Sequence, residues 1–169
     1  MSETAAKLFA KTGPAIFITH SASGRLGWDT RIKSDNVKAI IAYEPGTYVF
    51  PEGENIPDIP SKIEQVNSIS KPDFVSKEAF KKLTEIPILI IYGDNIKESS
   101  TFGIEFWRVS LERGRQFVEL INKNGGNAKL VHLPEIGIKG NTHFPFSDMN
   151  NKEIANQLMQ FLKEKNLDK

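Results

Sequence analysis

Apolar residues fall in short dense blocks, separated by stretches in which they recur at helical spacing. Four blocks read as strands: Pro14 to Thr19 (PAIFIT), Val37 to Tyr43 (VKAIIAY), Pro87 to Tyr92 (PILIIY) and Asn127 to Leu133 (NAKLVHL). The first three are nearly continuous in apolar residues rather than alternating, the pattern of parallel strands covered by helices on both faces. Between and around them the period changes. Ser2 to Lys11 puts Ala5, Leu8 and Phe9 on one stripe, with Gly13 placed as a C-cap. Ile104 to Asn124 carries Phe106, Val109, Phe117, Leu120 and Ile121 and ends at Gly125-Gly126. Asn151 to Lys165 repeats the stripe with Ile154, Leu158, Phe161 and Leu162, and its last turn holds Lys163 and Lys165, where they suit the helix dipole. Strands alternating with helices predict an α/β fold, a mostly parallel sheet flanked by helices with right-handed crossovers.

Two stretches break the rhythm. Thr47 to Thr84 contains Pro51, Pro57, Pro60 and Pro72, with a short helix predicted from Ser76 to Leu83. So long an excursion after a strand reads as a lid-like or insertion segment. Pro134 to Asp148 is a loop with Pro134, Gly137 and Gly140 ahead of His143. No repeat and no linker divides the chain, so residues 1–169 are expected to form a single domain.

Composition narrows the function classes. The 169 residues are 39% hydrophobic and 25% charged, which suits a globular protein and excludes a disordered chain. Twenty-two Lys and Arg against 21 Asp and Glu leave no electrostatic footprint for nucleic acid or a membrane surface. The absence of cysteine excludes a disulfide scaffold, a thiolate nucleophile and a sulfur-ligated zinc site. The three histidines lie far apart with no H-E-x-x-H spacing, so neither metal nor cofactor is expected. The longest apolar runs, Ile86 to Tyr92 and Ala39 to Tyr43, are too short to span a bilayer. Met1-Ser2-Glu3-Thr4 shows no secretory n-region, which makes the cytoplasm the default expectation.

Candidate chemistry clusters at the strand ends. After the first strand comes Thr19-His20-Ser21-Ala22-Ser23-Gly24. A nucleophilic serine on a tight strand-to-helix turn needs small residues two before and two after it, usually as G-x-S-x-G. Here Thr19 and Ser23 occupy those places, and the same residues also fit an ordinary turn that caps a helix through Ser21 or Ser23. Glu44 follows the second strand in Tyr43-Glu44-Pro45-Gly46, either on a ligand-binding sheet rim or as a solvated loop carboxylate. His143 lies in Gly140-Asn141-Thr142-His143, the one histidine in an irregular glycine-framed loop. His132 falls within a strand, and His20 is expected to shape the turn with its ring away from the serine hydroxyl. Taken together, serine, carboxylate and histidine each follow a separate parallel strand and would converge on one edge of the sheet. The roles would be Ser21 as nucleophile, His143 as general base and then acid, Glu44 as the group orienting the imidazole, and the Ala22 N–H as an oxyanion donor.

With these residues the sequence resembles the α/β-hydrolase superfamily, and more narrowly a branch of bacterial esterases marked by T-H-S-x-S-G, V-x-Y/V-E-P-G, V/I-x-Y/F-G-D-x-I and G-N-S/T-H. The matching blocks are Thr19 to Gly24, Ala42 to Gly46, Ile91 to Ile96 and Gly140 to His143, and the resemblance runs from residue 14 onward. It implies a Ser21–Glu44–His143 triad, because that branch carries its acid one strand earlier than most of the superfamily. Asp94 is the competing acid, since most members place theirs after the strand that Pro87 to Tyr92 represents.

The family fold has several strands before the elbow, so by comparison this chain corresponds to the carboxyl-terminal half. Its first strand is then expected to present an open edge, and the loop that normally supplies a second oxyanion donor is missing. A longer gene product, a separate complementing N-terminal half or a homodimer would each supply a partner. The function expected is a serine hydrolase acting on a small-molecule carboxylic ester through an acyl-enzyme. Val49, Phe50, Phe102, Phe106, Trp107, Phe144 and Phe146 are candidates for its apolar pocket. The alternative is a non-catalytic half-domain or binding module. A nucleotide-binding reading is disfavoured because Thr19 to Gly24 lacks G-x-G-x-x-G.

Overall fold

A computed structural model describes all 169 residues. In chain order the elements are α1 (Ser2–Thr12), β1 (Ala15–His20), α2 (Gly24–Lys33), β2 (Val37–Tyr43), β3 (Val49–Pro51), α3 (Glu64–Ile69), β4 (Asp73–Val75), α4 (Lys77–Thr84), β5 (Pro87–Tyr92), α5 (Phe102–Lys123), β6 (Asn127–His132) and α6 (Asn151–Glu164). The main sheet has the order β1-β2-β5-β6 and every pair in it is parallel. Residues 47–84 add a small parallel pair, β3 with β4, and two short helices. The expected α/β architecture and all four principal strands are present.

Alternation within the central strands builds two cores. Ile40, Ala42, Ile88 and Ile90 face one side, where α1, α2, α4 and α5 deliver Phe9, Trp28, Phe80, Leu83 and Phe117. The fully buried Phe117 ring lies 5.0 Å from Trp28 and 5.2 Å from Tyr48 by centroids, which ties α5 to α2 and to the segment after β2. Ile41, Leu89, Ile91 and Val131 face the other side, which α6 covers with Ile154 and Phe161. Both faces of β2 and β5 are therefore dry, and this is why those strands read as continuous apolar runs. β1 differs, because it is the sheet edge and its Ile18 is 54% exposed.

Some expectations shift in detail. Leu8, placed on the buried stripe of the first helix, is exposed, and Phe9 alone anchors α1. Val49 and Phe50, offered as pocket lining, are fully buried in the α5-side core. No helix is long and apolar enough to cross a membrane.

Register positions the chemistry. His20 pairs with Tyr43, Tyr43 with Ile91, and Tyr92 with His132, so the carboxyl ends of all four strands are level. Ser21, Glu44, Gly93 and the loop that follows β6 leave the sheet from that one edge.

Candidate active site

Ser21 has φ +56°, the left-handed region that disfavours a side chain, and so does Glu44 at +43°. Two non-glycine residues in this conformation on adjacent strand ends are stored strain, which concentrates at functional sites. The surrounding turn over-determines the elbow. The Ser23 hydroxyl donates to the His20 carbonyl at 2.7 Å and accepts the His20 N–H at 2.9 Å, so serine in place of glycine closes the turn instead of merely fitting it. Thr19 is buried against Gly27, where a Cβ would meet the threonine methyl at 3.2 Å, so the bulk added at one position is offset by a glycine in the next helix. Gly24 is required by close approach, since a Cβ there would stand 2.4 Å from the Pro45 side chain.

The Glu44 turn is pinned just as tightly. Pro45, Gly46 and Thr47 each accept a side-chain donor on the carbonyl: Tyr92 Oη at 2.5 Å, Ser110 Oγ at 3.1 Å and Trp28 Nε1 at 2.9 Å. Tyr48 Oη lies 2.8 Å from Tyr92 Oη, and burial pushes both phenols well above the ordinary tyrosine range, which keeps them neutral donors. Gly46 N–H donates to the Ser21 carbonyl at 3.3 Å, joining this turn directly to the elbow.

Glu44 is buried, so its carboxylate needs donors. It has two: Gly93 N–H at 2.7 Å on Oε1, and His143 Nδ1 on Oε2. Since an ionised carboxylate only accepts, the Nδ1 proton is assigned to the imidazole, which leaves Nε2 as an acceptor. Ser21 Oγ lies 2.9 Å from that Nε2. Trp107 stacks on the imidazole at 4.2 Å between centroids, tilted by 34°.

Asp94 does something else. Its Oδ2 accepts the Gly140 N–H at 2.9 Å and its own N–H donates to the Asn141 carbonyl at 2.9 Å, so it braces the histidine loop from β5. The Gly140 and Asn95 N–H groups hold its carboxyl below the usual range. Asp148 braces the same loop from the other side, accepting Thr142 N–H and Thr142 Oγ, each at 2.8 Å. Burial disfavours its charge, but the Thr142 and Asn141 donors outweigh this and its carboxyl also titrates low.

Thus Ser21, Glu44 and His143 come together although they are distant in sequence, and Asp94 stays apart from the imidazole. Ala22 lies in the short 3-10 turn Ser21–Ser23 that leads into α2. Gly93 and Asp148 were not anticipated as site residues, and Trp107, expected only as pocket lining, stacks on the catalytic-candidate imidazole. Of the aromatic candidates, Phe106 and Trp107 pack over Gly46, while Phe144 and Phe146 surround His20 and stay substantially exposed. A cleft of about 410 Å³, lined by Pro51, Glu54, Lys77 and Lys81 among others, includes none of these residues. No group of His, Asp and Glu side chains forms a metal site.

Comparison with known proteins gives a consistent picture of the fold. No family model matches the chain. It is 24% identical over 186 aligned positions to a protein of Fungal sp. (strain ATCC 74256) described as "Probable secreted lipase phiG", covering 93% of this chain and 48% of that protein. A solved structure described as "The Atomic Resolution Structure of a Novel Bacterial Esterase" superposes with a TM-score of 0.72 at 26% identity, over 96% of this chain and 42% of that one. The chain therefore resembles esterases of the α/β-hydrolase type and spans about half the length of these relatives.

Proposed function

We propose that this chain is the catalytic part of a serine hydrolase that cleaves carboxylic esters through an acyl-enzyme. The observation that carries the reading is the unbroken relay from Ser21 Oγ, 2.9 Å from His143 Nε2, through the imidazole to the buried Glu44 carboxylate. Similarity to an esterase and a lipase supports the ester as substrate class.

As Ser21 Oγ attacks the ester carbonyl carbon, its proton passes to His143 Nε2 and the carbonyl π pair becomes an oxyanion. Glu44 keeps Nδ1–H bonded and stabilises the imidazolium that forms. The Trp107 face beneath the ring favours the same cation. Collapse of the adduct expels the alcohol, which takes the proton from Nε2 and leaves an ester on Ser21. Water then attacks with His143 as base, releasing the acid and returning the proton to Ser21. Ala22 N–H is assigned to the oxyanion. A second oxyanion donor is worth about 10²–10³ in rate, and polypeptide pairing with the open β1 edge is one way to supply it.

The exposed Ile18 on that edge also favours a second reading, a half-domain that binds without catalysing. Hydrolysis of a short p-nitrophenyl ester, run beside Ser21→Ala, separates the two. Activity abolished by the substitution, with fluorophosphonate labelling confined to Ser21, is the expected result. A folded wild-type chain that neither hydrolyses nor labels would overturn the catalytic reading.

A further inference from the structure

His20 ends β1 immediately before the serine, and its side chain does not turn away from the site. Its Nε2 lies 2.8 Å from the backbone carbonyl of His143, a contact between residues 123 positions apart. A carbonyl only accepts, so Nε2 carries the proton, in the neutral ring as in the charged one. The His20 ring lies 4.7 Å from the His143 ring and 4.7 Å from Phe144 by centroids, with Phe146 edge-on at 5.1 Å.

Its backbone is immobilised by the same turn that positions the nucleophile, through both hydrogen bonds to Ser23 Oγ. The aspartate braces on the histidine loop act at Gly140, Asn141 and Thr142. His20 holds the loop at His143 itself.

We propose that His20 is a positioning residue: it carries the geometry of the elbow across to the histidine loop and sets the spacing between Ser21 Oγ and His143 Nε2. This rests on the catalytic reading of Ser21, Glu44 and His143. A spacing error near 1 Å is enough to cost about 10²-fold in rate, so one hydrogen bond at this point has leverage on turnover and little on ester binding.

Three substitutions test it, because they separate the ring from the donor. His20→Phe keeps an aromatic ring among Phe144 and Phe146 and removes the N–H. His20→Gln places an amide nitrogen close to where Nε2 lies, and His20→Asn places one near Nδ1, short of the carbonyl. The expected result is a kcat reduced about 10- to 100-fold in the Phe and Asn variants with KM within about twofold, and recovery to within about fivefold in the Gln variant. Wild-type kcat in His20→Phe, or equal losses in all three variants, would overturn the proposal, since a packing role cannot tell Gln from Asn. If the wild-type chain does not hydrolyse esters, the low-field NMR resonance of the His143 Nδ1 proton shared with Glu44 is the readout. Positioning by His20 predicts that this resonance persists in the Gln variant and broadens in the Phe and Asn variants. A resonance unchanged by all three substitutions, or absent from the wild type, refutes it.

Discussion

Gly93→Ala tests how closely the acid, the histidine loop and β5 are fitted together. A Cβ at residue 93 would stand 2.6 Å from the Thr142 carbonyl oxygen, 2.8 Å from Glu44 Oε1 and 3.1 Å from the Asn141 carbonyl oxygen. Two of the three are backbone atoms of the loop that carries His143, and the third belongs to the carboxylate that the Gly93 N–H itself holds. Ordinary contact begins near 3.4 Å, so the loop has to retreat by about 0.8 Å. Overpacking of this kind costs about 1–3 kcal/mol, and in a chain of this length each kcal/mol lowers Tm by about 2–4 °C. A displacement approaching 1 Å at the imidazole lowers kcat by about 30- to 100-fold. Gly103→Ala is the control, because nothing lies within 4 Å of its Cβ and it sits in the first turn of α5. That substitution should leave activity unchanged and alter stability by less than about 1 kcal/mol. Calorimetry and ester kinetics on both variants supply the two readouts. A Gly93→Ala protein that melts like Gly103→Ala and keeps wild-type kcat would refute the steric argument.

Two further predictions separate the carboxylates. Glu44→Gln should lower kcat by about 10³–10⁴, as expected when an imidazole loses its orienting charge, whereas Asp94→Asn should lower it by less than about 10-fold, and a ranking the other way round in ester kinetics would make Asp94 the acid. Asp94 and Asp148 both titrate below the ordinary aspartate value of 3.8, so their stabilisation of the loop is complete above that pH and is lost as pH falls through their depressed values. Thermal melts should therefore show the gap between wild type and Asp94→Asn constant from pH 7 down to about pH 4.5 and narrowing as pH falls below 3.8; a gap that does not narrow on acidification below 3.8, or that narrows already above about pH 5, would contradict the assignment.

Legibility in the sequence followed burial. β2 runs from Val37 to Tyr43 as its apolar residues indicate, because both of its faces are covered and nothing competes with the hydrophobic signal. Leu8 misleads because a helix stripe says which residues share a face, and only the tertiary packing decides how wide the covered strip is. β3 and β4 pass unnoticed as three-residue strands among prolines, too short to show a period. The candidate site was legible as three residue types at three strand ends. The parts that were not legible are contacts without local pattern. Gly93 matters because of carbonyls about 50 residues away, and His20 because of a carbonyl 123 residues away. Ser23 reads as a defect in a glycine motif until its hydroxyl is seen closing the turn.

The pairing of His20 with Tyr43 also bears on how such a protein can change. Ser21 and Glu44 leave neighbouring strands at the same level, so their separation is set by the spacing of two hydrogen-bonded strands, about 4.8 Å, and not by any loop. Residues 47–84 leave the sheet after this pair and rejoin it at β5. The stretch between β3 and β4 makes no hydrogen bond to either strand-end turn, so it can change in length without moving nucleophile and acid relative to each other, whereas Thr47 and Tyr48 cannot. Only the imidazole, arriving on the loop beyond β6, has to be brought back into place after each such change. Variation in that stretch is thereby uncoupled from the geometry that would do the cutting.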